Sequence, residues 1–152
     1  MILLASQQTV HARDVENNFH FRHKASLVGS WQANIDFFGT PAPALYSFQR
    51  GGTLTESDNP GFDPNFNDNA LSPGIGSWKR EGHRNYIATY RKLAFNENGE
   101  FQQIYTATMN AKVDKGGILR GTLNIVISLP DGTQVGEIPD LTFTATRITI
   151  DY

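Results

Sequence analysis

The chain has no cysteine, which excludes disulfides, thiolate metal sites and a cysteine nucleophile together. No run approaches the roughly 18 apolar residues that a membrane-spanning helix needs, and Ile2-Leu3-Leu4-Ala5 is too short for the apolar stretch of a signal peptide. No segment keeps a helical apolar period over the roughly ten to twelve residues a stable helix requires. A glycine-rich phosphate cradle is missing as well, since Gly51-Gly52 and Gly116-Gly117 fall in predicted hairpin turns, so nucleotide cofactors are not indicated. The chain lacks Gly-x-Ser-x-Gly, and its serines have no recognisable elbow, which sets hydrolase chemistry aside. Charge of one sign is not in excess: 13 Lys and Arg face 15 Asp and Glu, for a net charge of −2. Nucleic acid is therefore not an expected partner. The densest basic stretch, Lys79, Arg80, His83, Arg84, Arg91 and Lys92, has two readings, an anion-binding edge or, the preferred one, solvated charge on strands around a turn at Gly82.

Metal signals are weak. The histidines are His11, His20, His23 and His83, and His20-Phe-Arg-His23 brings two imidazoles together only if that segment is helical. The acidic stretch Asp63-Pro-Asn-Phe-Asn-Asp68-Asn69 places oxygens at alternating positions but lacks the glycine and closing glutamate of a calcium loop. Neither a metal nor a cofactor is expected.

What is present fits one domain: 152 residues, 39% hydrophobic and 18% charged, with ten Phe, five Tyr and two Trp, enough for one hydrophobic core. Residues 1–26 show no sustained period and read as an N-terminal arm, with a short helical turn over Arg13 to Phe21. Val10-His11-Ala12 resembles a signal-peptidase site, so residues 1–12 could be the end of an export signal. The compartment stays open between cytoplasm and export, and a homodimer stays open too. The single β-barrel domain is assigned to 27–152.

From Val28 the pattern alternates: Trp31, Ala33, Ile35 and Phe37 against Gln32, Asn34 and Asp36, the period of a strand with one buried face. Gly39-Thr-Pro-Ala-Pro43 breaks it. Leu45 to Arg50 and Thr53 to Glu56 follow as strands around Gly51-Gly52. Residues 57–75, with prolines at 60, 64 and 73, read as a long loop, functional or mobile. Gly76 to Arg80, Asn85 to Phe95, Glu100 to Val113, Ile118 to Leu129 and Leu141 to Ile150 complete the strands, with turns at Asn96-Glu-Asn-Gly99, Asp114 to Gly117 and Pro130-Asp131-Gly132. This predicts an all-β fold, an antiparallel up-and-down barrel of about eight strands, with a sandwich as the alternative.

Gly29-Ser-Trp31 opening the first strand, with Arg147 on the last, resembles the lipocalin (calycin) pattern, in which a Gly-x-Trp at the closed end packs against an arginine of the final strand. Gly76-Ser77-Trp78 is similar to small bacterial lipocalin-like proteins and to barrels resembling allene oxide cyclase. The resemblance covers Leu27 to Ile150 as an order of strands and turns; the other lipocalin sequence blocks and disulfides are not evident. It implies a ligand carrier or a natural-product cyclase, and a structural role for Trp31 and Arg147.

Small barrels either fill with side chains or hold one small ligand, in pockets lined by apolar groups with a few polar ones. The candidate ligand-binding lining is Phe37, Phe48, Trp78, Arg91, Phe101, Gln103, Met109 and Phe143, with Arg91 and Gln103 as polar groups to orient a carbonyl or carboxylate. Tyr86, Tyr90 and Tyr105 are the candidate catalytic donors. The first expectation is binding of a small hydrophobic ligand under a lid formed by the 57–75 loop. The alternative is a cofactor-free cyclase or isomerase that folds a hydrophobic biosynthetic intermediate and stabilises a developing oxyanion. A barrel filled by its own side chains, serving as a structural module, is the third.

Overall fold

The computed structural model describes residues 26–58 and 70–149. The arm before Ser26, with its helical turn, export-signal reading and three of the histidines, lies outside the described residues, as does the acidic stretch Asp63 to Asn69. The strands are β1 (Gly29–Phe37), β2 (Thr40–Phe48), β3 (Thr53–Asp58), β4 (Ala70–Leu71), β5 (Gly74–Arg80), β6 (Asn85–Phe95), β7 (Phe101–Val113), β8 (Leu119–Ser128) and β9 (Gln134–Arg147). All pairings are antiparallel, and no helix occurs among the described residues. Eight strands close in a ring, β1-β2-β3-β5-β6-β7-β8-β9, because β1 pairs with β9 as well as with β2, and β6 pairs with β7. The extra strand, β4, pairs with β6 at Ala70↔Phe95 and Leu71↔Ala94. Closure gives every barrel strand a paired neighbour on both sides over at least part of its length, which is how a meander of this size avoids a continuous open edge.

Period-two patterning sets the inside. Trp31, Ala33 and Ile35 of β1 are buried while Gln32, Asn34 and Asp36 are exposed. Tyr46 and Phe48, Leu54, Tyr86 and Tyr90, Met109, Leu123 and Phe143 join them in one core. At one end the barrel is sealed. The Trp31 indole Nε1 donates to the Leu27 carbonyl at 2.8 Å, and the Arg147 guanidinium lies 4.3 Å from the Trp31 ring centroid. Arg147 also donates to the carbonyls of Val28 and Ser26. A Cβ at Gly29 would stand 2.3 Å from Arg147 Nη1, and its φ of 131° is one that side-chain-bearing residues rarely adopt, so glycine is required there. The Trp31–Arg147 contact thus closes this end of the barrel, its floor.

Three departures from the sequence expectation have identifiable causes in the strand pairing. β2 begins at Thr40 and runs through Pro41 and Pro43, where a break was expected. β3 pairs with β2 only over Ala44 to Phe48, so Thr40 to Pro43 is an edge segment, where a sheet tolerates residues without an N–H. β9 begins at Gln134, not Leu141, because the pairing shifts between Leu123↔Leu141 and Ile125↔Ile138. This bulge has Asp140 at φ 57°, its N–H donating to Asn124 Oδ1 at 2.8 Å, and the extra residue hid the strand's alternation. Within the expected 57–75 loop, β3 extends to Asp58 and β4 and β5 add pairing with β6 from Ala70 onward.

Candidate functional site

The end opposite the floor carries the hairpins β1–β2, β6–β7 and β8–β9, and its inward-facing residues differ from those below. Toward the floor Leu27, Trp31 and Phe48 are fully buried and Trp78 is part-exposed; toward this mouth Phe37, Ala42, Ile125 and Ile138 pack on the core while staying part-exposed. Ile127, opposite Tyr105 and Gly136, lies in the same zone. An apolar lining that is accessible from one end is what a ligand entering a barrel needs.

Beneath that lining sits a buried charged cluster. Among the described residues the buried polar or charged side chains are Glu56, 2% exposed, and Lys92, 6% exposed. Leu54, Glu56 and Asp58 share the inner face of β3, and Tyr86, Ala88, Tyr90, Lys92 and Ala94 that of β6. Lys92 Nζ stands 3.0 Å from Glu56 Oε2 and 3.3 Å from Oε1, to which it donates. It also pairs with Asp58 Oδ1. Glu56 Oε2 is buried with no aligned hydrogen bond, so this oxygen is held by charge alone.

Neighbouring strands build the rest. Tyr46 is opposite Glu56, and Glu56 opposite Gly74. A Cβ at Gly74 would lie 2.7 Å from both Glu56 Oε2 and Tyr90 Cδ2; the missing side chain makes room for the carboxylate and the ring. The Tyr46 and Tyr90 hydroxyls are 3.2 Å apart and share a hydrogen bond. Burial, reinforced by Asp58 and opposed by Lys92, pushes the Glu56 carboxyl from its ordinary 4.5 up to about 7. Burial likewise raises both tyrosines, with Glu56 adding to each, so their hydroxyls stay protonated. At neutral pH the cluster can accept or release a proton at Glu56 and donate from a tyrosine hydroxyl.

The residues singled out from sequence distribute unevenly. Tyr90 belongs to this cluster. Tyr105 is nearer the mouth, donating to Gln103 Oε1 at 3.1 Å, and Phe143 lies 6.3 Å from the Tyr46 ring. Met109 is buried in the core and Phe37 packs at the rim. Phe48, Trp78 and Tyr86 form an aromatic group at the closed end, with Trp78 edge-on to the other two at 6.1 and 5.8 Å and its Nε1 donating to the Gln49 carbonyl. Tyr86 is therefore far along β6 from Glu56. Arg91 and Phe101 lie on the outer surface instead of the lining. Arg91 has the outward phase of β6. Phe101 is turned out by a register shift beside Phe95, which pairs with it although Ala94 pairs with Gln103; its ring packs on Phe95, 6.0 Å away.

Glu56, Asp58 and Lys92 were missed. Alternation pointed to Lys92, since Tyr86, Ala88 and Tyr90 share its parity, but a lysine inside a basic stretch reads as solvated. No grouping of His, Asp or Glu suited to a metal occurs among the described residues, and they contain no helix long and apolar enough to cross a membrane. The fold and site define a class: a closed eight-stranded antiparallel barrel with a floor, an apolar mouth and a buried ionic cluster between them. No protein family, curated protein or solved structure matches the chain.

Proposed function

We propose that the chain is a lipocalin-like binding protein that takes a small hydrophobic molecule into the mouth half of its barrel. The observation that carries this reading is the apolar mouth: Ile125, Ile138, Phe37 and Ala42 face inward and stay part-exposed, while Leu27 and Trp31 are fully buried at the floor. A ligand lying on those groups would meet Tyr46, Tyr90, Glu56, Asp58 and Lys92 with its far end, and burial of its apolar body would drive association. Titration with the neutral fluorophore N-phenyl-1-naphthylamine tests it. Saturable binding of one probe per chain is expected, lost in Ala42→Trp, which fills the mouth. Unsaturable binding, or unchanged binding in that variant, would place the probe outside the barrel.

A second reading, a cofactor-free isomerase or cyclase, has its own support in Glu56, titrating near neutrality beside a tyrosine hydroxyl pair. Glu56 would take a proton from carbon next to a substrate carbonyl and return it at another carbon, while a tyrosine hydroxyl donates to the enolate oxygen. Deuterium wash-in to 2-octanone in heavy water tests this. Tyr90→Phe should slow exchange without weakening binding; equal rates in the two proteins would remove Tyr90 from the chemistry.

A further inference from the structure

Resting on the binding reading above, we propose that the mouth selects a hydrophobic amine: an apolar body carrying a protonated ammonium group that docks on Glu56 and Asp58. The argument is one of charge count and placement. The charged side chains of the buried cluster are two carboxylates and one ammonium. Lys92 neutralises one unit and must divide itself between two partners. One of the four carboxylate oxygens, Glu56 Oε2, is already buried without a hydrogen bond. In a low-dielectric interior an unbalanced negative charge is costly, and the cluster gains most from a ligand that brings a cation with N–H donors. A carboxylate ligand would raise the imbalance, and an alcohol would leave it unchanged.

The surroundings fit that choice. Tyr46 and Tyr90 face the cluster from β2 and β6, and neither ionises near neutral pH. They contribute hydroxyl lone pairs and aromatic faces, both favourable to an ammonium group. Gly74 faces it from β5 without a side chain. Arg147 holds its charge at the opposite end, on the Trp31 ring. Because Glu56 is raised to about 7, an arriving cation would displace its proton below that pH and would find it already ionised above. Amine affinity therefore rises from pH 6 to pH 8.

The experiment is calorimetric titration of the full chain with octylamine, octanol and octanoate, which share one alkyl chain. At pH 8 octylamine should bind at least about tenfold tighter than octanol, with octanoate weakest. The octylamine advantage should shrink at pH 6, with proton release visible as a dependence of the heat on buffer ionisation enthalpy. Glu56→Gln should collapse the amine-to-alcohol ratio, and Asp58→Asn gives an independent check at a less buried site should the first variant fold poorly. Octanol or octanoate binding as tightly as octylamine overturns the amine proposal while leaving hydrophobic binding intact. If none of the three binds, the binding reading fails and the amine proposal with it.

Discussion

At the closed end, Arg147 lies over the Trp31 ring and donates to the carbonyls of Ser26 and Val28; halfway to the mouth, Lys92 is held by the carboxylates of Glu56 and Asp58. Both regions hold a cation, part-exposed at Arg147 and buried at Lys92, but the acceptors differ. Backbone carbonyls and an indole face do not titrate, so the floor holds alike at any moderate pH. Carboxylates do titrate, so the mouth half changes its charge in the range where Glu56 gains or loses its proton. The floor serves to close the barrel; the mouth half carries an internal charge that packing alone does not require, and replacing such ions by apolar groups is often neutral or stabilising.

The comparison breaks most visibly under a pair of large substitutions. Trp31→Ala should destabilise the barrel by about 3–5 kcal/mol through cavity formation, equally at pH 5 and pH 8. Lys92→Met should also cost about 3–5 kcal/mol at pH 8, where it strands buried carboxylates, and clearly less at pH 5, where Glu56 carries a proton. Denaturant unfolding at both pH values checks this; a pH-independent loss for Lys92→Met would mean that its charge is unimportant.

Glu56→Gln sharpens the same contrast. A carboxyl whose folded pKa is raised contributes stability that is complete below its ordinary 4.5 and is lost as pH rises through about 7. Relative to the glutamine variant, the native chain should lose on the order of 3 kcal/mol between those limits. Parallel stability curves for the two proteins would show that Glu56 does not titrate in this window.

The smallest expected effect is at the rim. Phe38, 75% exposed, turns the β1–β2 hairpin at φ 54°, a conformation that asparagine adopts more readily in this kind of turn. Phe38→Asn should raise stability by up to about 1 kcal/mol, read as a small upward shift in Tm. A fall would show that the edge contact of Phe38 with Phe37, 5.2 Å between ring centroids, outweighs the strain.

Much of the fold was legible in the chain because it rests on local rules. Alternation over Trp31 to Phe37 and Tyr86 to Tyr90, together with the Asn96 to Gly99 turn, followed from period two and from residues that tolerate positive φ. A meander of consecutive antiparallel strands needs little else, and Gly29, Trp31 and Arg147 marked the floor. Strand limits failed where a non-local circumstance intervened: prolines lying where β3 has ended, and an extra residue at Asp140 that breaks the alternation. The site was less legible. Sequence brought Tyr90 forward, but it placed the interior cation at Arg91, one position from Lys92, and kept Phe101 inside, where a register shift turns it out. Nothing local links Lys92 to Glu56 and Asp58, which lie 36 and 34 residues before it, across the 59–69 segment. Only the pairing of β5 with β3 on one edge and β6 on the other sets the three strands side by side, with Gly74 yielding the space between Glu56 and Tyr90. Burial in that setting converts three ordinary surface-type residues into a coupled charge cluster, because desolvation depends on what surrounds a group in space and not on its neighbours along the chain.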